Sequence, residues 1–247
     1  MVEKIVIKVN NLTVVYEEKP VLWNVNLEIE KGTLMAIVGP NGAGKSTFLK
    51  AMMNLVKPIS GKVKFFDEDY KNQRLKIAYV PQKESIDWDF PTTVLDVVEM
   101  GRYGKLGWFK RITKNDKEIA HEALKKVGME EFSDRQISQL SGGQQQRIFL
   151  ARALAQEVEI YFLDEPFQGI DAKTEKIIVD ILKKLVKEGK TVVVVHHDLN
   201  TIKEYFDYIT FMNINVISSG KIGDVFTKEN IEKTYKNRNS IDFINQG

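Results

Sequence analysis

"TLMAIVGPNGAGKST", Thr33–Thr47, sets an apolar run against a glycine-rich turn and then a lysine. The run does not alternate, which predicts a strand buried on both faces. Gly39–Ser46 matches the pattern G-x-x-x-x-G-K-[ST], and a helix is predicted after it, so the strand and helix context its mechanism needs is met. In such a loop the backbone N–H groups curl around phosphates, Lys45 supplies a point charge to the terminal ones, and the Ser46 hydroxyl binds Mg²⁺. The residues assigned to the nucleotide are Gly39, Pro40, Asn41, Gly42, Ala43, Gly44, Lys45, Ser46 and Thr47.

Three further runs, "KIAYVP", "EIYFLDEP" and "TVVVVHH", have the same unalternating character. They stop at Gln82, at Asp164 and Glu165, and at His197, as the first stops at Gly39. Ligands of open parallel sheets bind at the carboxyl edge of the strands, so four such endings point to one site. "YFLDE" would deliver Asp164 to the magnesium and Glu165 to an attacking water; a plain helix N-cap is the alternative for this pair. Tyr16, alternating with Leu12 and Val14, reads equally as a core aromatic or a base-stacking one.

Residues 4–31 alternate and turn at "EEKP" and "EKG", which predicts antiparallel strands. Helical spacing dominates about residues 92–157, and the tail reads as one or two strands and a helix from about Lys228. The expected architecture is α/β, with a mainly parallel core sheet, an N-terminal antiparallel β subdomain and an inserted helical subdomain. The expected organisation is a single domain, 1–247, with a core at about 1–83 and 158–247 and a helical subdomain at about 84–157.

The composition excludes several classes. There is no cysteine, which rules out disulfides and thiolate metal centres. The net charge of +2 comes from scattered lysines and arginines, so no nucleic-acid partner is expected. The first residues alternate like a strand, unlike the apolar core of a signal peptide, and nowhere do about 18 apolar residues run together as a membrane span requires.

"LSGGQQQRIFLARAL", Leu140–Leu154, adds a second phosphate-binding feature: Ser141, Gly142 and Gly143 open a helix whose first amides and dipole favour an anion. With "GPNGAGKST", the glutamine of "YVPQ", "YFLDEP" and the histidine of "VVVVHH", it makes the chain similar to the nucleotide-binding subunits of ATP-binding cassette (ABC) transporters, from about Val6 to Asn237. The resemblance implies a P-loop NTPase fold and an ATP hydrolase using MgATP. It implies a head-to-tail homodimer, in which each ATP lies between the P-loop of one chain and the signature helix of the other.

By the same resemblance Tyr16 stacks on adenine, Gln82 senses the γ-phosphate and Mg²⁺, and Glu165 is the general base. Ser46, Gln82 and Asp164 would then surround the metal. His197 would contact the γ-phosphate; His196, adjacent to it, is expected to face the other way. Asp171 matches the loop that contacts the other subunit, although this chain has Gln168-Gly169-Ile170-Asp171 where many members have Ser-Ala-Leu-Asp.

The variable segments resemble the zinc, manganese or iron importer branch. That branch implies an integral membrane permease, an extracytoplasmic metal-binding protein, and a peripheral position on the cytoplasmic face of the membrane. Trp88, Phe90, Tyr103 and Trp108 are expected either to line a groove for a short permease helix or to form a buried aromatic cluster. A siderophore, haem or cobalamin importer is the nearest alternative. A soluble cassette ATPase is disfavoured by the single set of motifs, and a GTPase by the lack of Asn-Lys-x-Asp ("TKND" has the wrong order).

Overall fold

The computed structural model describes residues 5–86, 88, 90–106 and 111–236. Its core is a six-stranded sheet of order β10-β9-β3-β8-β7-β6. The strands are β3 (Leu34–Val38), β6 (Ile77–Val80), β7 (Ile160–Asp164), β8 (Thr191–Val195), β9 (Tyr208–Asn213) and β10 (Asn215–Lys221). All neighbours run parallel except β10, which returns antiparallel to β9. Every residue of β3, β7 and β8 is buried.

The reason for the unbroken apolar runs is visible in the packing. Met35, Ile37, Ile160, Phe162, Val193 and Val195 face one core, with Phe48, Leu49 and Met52 of α1 (Lys45–Met52). The alternate residues, Leu34, Ala36, Val38, Tyr161, Leu163, Val192 and Val194, face a second core on the other side of the sheet. A strand with a core on each face has no solvent side to mark with polar residues.

The N-terminal hairpin forms as expected, β1 (Ile5–Tyr16) against β2 (Lys19–Glu30), turning at Glu17 and Glu18. It belongs to a four-stranded antiparallel sheet, β2-β1-β4-β5, whose last two strands, β4 (Ser60–Phe65) and β5 (Glu68–Asp69), the sequence reading did not anticipate. In β4 only Phe65 is fully buried.

The remaining α-helices are α2 (Tyr70–Gln73), α3 (Val94–Glu99), α4 (Tyr103–Leu106), α5 (Lys114–Lys126), α6 (Gly142–Ala155), α7 (Ala172–Lys187), α8 (Ile202–Tyr205), α9 (Ile222–Val225) and α10 (Lys228–Tyr235). Among the described residues no helix is long and apolar enough to cross a membrane. Helices α3, α5 and α6 pack through Val94, Val98, Ala120, Leu124, Ile148 and Ala151. Each starts with a reciprocal cap: Thr93 with Asp96, Thr113 with Asp116, and Ser141 with Gln144.

Arg102 ties these helices together. Its Nε donates to Asp116 Oδ1 at 2.9 Å, and its Nη1 donates to the Ala155 carbonyl at 2.6 Å and to Glu157 Oε2 at 2.8 Å. Both Arg102 and Asp116 are buried, so removing the cation strands a carboxylate away from water. Arg102→Met should lower unfolding stability in urea by roughly 3 kcal/mol, as measured by the shift in midpoint.

Candidate nucleotide-binding site

The loop Gly39–Gly44 leaves β3 at the carboxyl edge of the sheet and enters α1 directly. Gly44 is the helix N-cap, with φ at +86°, and a Cβ there would lie 2.5 Å from the Val21 carbonyl, so only glycine fits. Glycine also brings no capping side chain, so the first amides of α1 stay available to a ligand. Lys45 is buried at their centre, with Nζ donating to the carbonyls of Gly39 at 2.8 Å and Pro40 at 3.0 Å. Burial lowers its pKa, and the nearby Glu165 and Asp164 carboxylates oppose that shift. A cavity of about 310 Å³ is bounded by Val21, the loop residues from Asn41 to Thr47, and Glu165.

Two pairs of side chains distant in sequence meet beside this loop. Ser46 Oγ donates to Asp164 Oδ1 at 2.8 Å, joining the start of α1 to the end of β7. Gln82 Nε2 donates to Glu165 Oε2 at 3.2 Å and to Gln168 Oε1 at 3.0 Å. Burial raises the Asp164 pKa, against the hydrogen bonds from Ser46 and Tyr79 and the charges of Lys50 and Lys45. Glu165 has φ at +51°, a left-handed conformation unusual for a side-chain-bearing residue, held by its N–H bonding to the Val195 carbonyl at 3.2 Å. Sequence reasoning missed Tyr79 and Gln168; only the placement of β6 and of the turn after β7 brings them in.

The two histidines follow β8 and do not lie on it. His196 is buried, edge-on to Phe167 with ring centroids 5.3 Å apart, and its Nε2 is 2.8 Å from Thr201 Oγ1. His197 is exposed at the sheet edge. Tyr16 is 47% exposed, which removes the core-aromatic reading and leaves its ring free to stack.

Ser141, Gly142 and Gly143 are not among the residues bounding the phosphate-loop cavity. Their helix start lies instead against the segment after β7. A Cβ on Gly143 would meet Thr174 at 3.3 Å and Ile170 at 3.6 Å, and the Lys83 ammonium stands over Gly142 where a side chain would go. Ser141 is exposed; its Oγ accepts from the Gln144 N–H at 3.4 Å, so its own proton is free to donate. Asp171 caps α7, accepting from Thr174 N–H at 3.0 Å and Thr174 Oγ1 at 2.8 Å; these hydrogen bonds hold its carboxyl below the usual range.

The aromatics divide between the two expectations. Trp88 turns inward, stacking edge-on to Phe149 at 5.0 Å and donating to the Lys83 carbonyl at 3.0 Å. Phe90 is exposed, and Trp108 lies outside the described residues. Tyr103 does line one, an open groove of about 860 Å³ shared with Tyr70, Leu75, Ile77, Arg74, Lys105 and Arg111, between β6 and α4.

A glycine loop ahead of a lysine, with a serine–aspartate pair beside it, defines a P-loop nucleotide-binding protein. The family model described as ABC transporter matches residues 22–168. The zinc transport system ATP-binding protein TroB of Treponema pallidum is 53% identical over 98% of this chain and 91% of its own. The manganese transport system ATP-binding protein MntB of Bacillus subtilis is 54% identical over 94% of this chain and 93% of its own. A bacterial ABC transporter cassette solved as a dimer is 36% identical with a TM-score of 0.76, covering 87% of this chain and 98% of that one. The same cassette in a post-hydrolysis state bound to ADP and Pi gives 35% and 0.75 over the same shares. The chain belongs to the ABC transporter family, as an ATP-binding subunit that hydrolyses ATP.

His196 also makes stability depend on pH. Burial, aided by His197, lowers its pKa from 6.5 to about 4. Between these values the unfolded chain binds a proton that the folded one refuses, so stability is complete above 6.5 and drains away as pH falls towards 4. The loss attributable to this ring is about 3 kcal/mol. Urea unfolding of the native chain should show that extra decline between pH 7 and 4, and His196→Gln should lack it.

Proposed function

We propose that this chain is the ATPase of a metal-ion importer, working as a head-to-tail pair beneath a separate membrane permease. The observation that carries the ATPase reading is the convergence of Ser46 on Asp164 and of Gln82 on Glu165 beside the phosphate loop. Ser46 Oγ and Asp164 Oδ1 are hard oxygen donors side by side, the chemistry Mg²⁺ prefers. Ser46, Asp164 and the side-chain oxygen of Gln82 would hold it. When bound, the ion neutralises charge on the β- and γ-phosphates.

Lys45 exchanges the carbonyls of Gly39 and Pro40 for phosphate oxygens, and the N–H groups from Asn41 to Thr47 wrap the triphosphate. Tyr16 stacks on the base. Glu165 takes a proton from water as its oxygen attacks the γ-phosphorus; the bond to the bridging oxygen breaks, and ADP leaves with that electron pair. Gln82 orients water and carboxylate, and His197 donates to the γ-phosphate. The partner subunit's Ser141, Gly142 and Gly143 close the γ-phosphate from the far side, and Asp171 steadies the contact between subunits. Losing the γ-phosphate removes the link, which turns chemistry into movement.

The curated relatives described above serve zinc and manganese transport systems, which supports a divalent metal as cargo. A peripheral position at the cytoplasmic face of the membrane and a cooperating extracytoplasmic metal-binding protein follow from that reading. The two lobes, about 1–83 with 158–247 and about 84–157, would turn as the pair closes. The groove at Leu75 and Tyr103 would receive a short permease helix, and Arg74, Lys105 and Arg111 favour one with acidic residues.

Glu165→Gln should keep ATP binding and slow hydrolysis by roughly two to four orders of magnitude. With MgATP that variant should elute as a dimer in size-exclusion chromatography; a monomer at high concentration would contradict the pair. Leu75→Glu combined with Tyr103→Ala should release the subunit from its permease in a detergent pull-down without disturbing that dimer. Retention would place the permease elsewhere.

A further inference from the structure

Tyr79 opens the "YVPQ" stretch, of which only the glutamine has been given a role, and its side chain reaches the centre of the site. Its phenolic oxygen lies 3.2 Å from Asp164 Oδ2, while Ser46 Oγ lies 2.8 Å from Oδ1 of the same carboxylate. The two oxygens are therefore gripped by different elements, Oδ1 from α1 and Oδ2 from β6. That fixes the rotation of the carboxylate about its last bond. The parallel pairing of β6 with β7, Tyr79 opposite Phe162 and Val80 opposite Leu163, sets the reach.

We propose that Tyr79 is a positioning residue for the magnesium-binding carboxylate, occupying Oδ2 so that Oδ1 is presented beside Ser46. This rests on the reading of Asp164 as part of the magnesium site. A ligating carboxylate whose second oxygen is tied to a protein donor cannot swing away or chelate through both oxygens, so the ion meets one preset atom. The same strand leads three residues on to Gln82, which bonds Glu165. The edge strand thus holds the metal side and the water side of the site at one spacing. Ile77, at its start, lines the groove described above.

Tyr79→Phe removes only the hydroxyl and keeps the ring packing. Binding of Mn²⁺ to the complex with a non-hydrolysable ATP analogue, followed by electron paramagnetic resonance, should weaken roughly ten-fold in this variant. The affinity for the analogue in EDTA should stay at the native value. An unchanged Mn²⁺ affinity would overturn the proposal, and so would an equal loss of affinity in EDTA, which would mark a general structural defect. Asp164→Asn separates the two readings. If it too leaves Mn²⁺ binding intact, the magnesium site itself is misplaced; if it abolishes binding while Tyr79→Phe is silent, only the role of Tyr79 fails.

Discussion

The 2.8 Å hydrogen bond from Ser46 to Asp164 joins the first turn of α1 to the last residue of β7 across 118 positions of sequence. It can form only if β3 and β7 end at the same edge of one sheet, with β8 paired between them in register. That edge is where Gly39, Gln82, Glu165 and His197 also arrive. A parallel sheet with a core on each face has nowhere else to put polar chemistry, because its strands are apolar along their whole length. The site is what remains when six strands have buried everything they can.

The loop and the helix it feeds show how local rules are bent for a ligand. Helices α3, α5 and α6 begin with reciprocal side-chain caps, whereas α1 begins at a glycine held at positive φ. Glu165 likewise occupies a left-handed conformation directly after a regular strand. Both departures lie beside the same cavity, and each leaves a polar group pointing into it. Helix α6 differs in kind: it has its own cap, and two glycines and an exposed serine stand at its start.

Much of this was legible in the sequence because the motifs are contiguous. The four apolar runs became the parallel strands β3, β6, β7 and β8, and the glycine loop with its lysine needed only local geometry. What stayed hidden depends on register between distant strands. Tyr79 reads as an ordinary aromatic on a strand; only the pairing of β6 with β7 brings its hydroxyl to Asp164. Arg102 looks like one more surface charge until Asp116 and the end of α6 close around it. The short β4 carries only two apolar residues, Val63 and Phe65, too few to mark it out, and which of the two readings of Trp88 holds depends on where Phe149 packs. Tyr16 stood open between two readings until its exposure excluded the core.

The central claim is that one copy of the chain lacks a complete catalytic site and borrows its second phosphate-gripping turn. ATPase rate per subunit, measured against protein concentration across the dimerisation range, tests it most directly. Specific activity should fall towards zero on dilution, in proportion to the subunit concentration at the dilute limit, where the total rate follows its square. A rate per subunit that stays constant when the protein is shown to be monomeric would contradict the account.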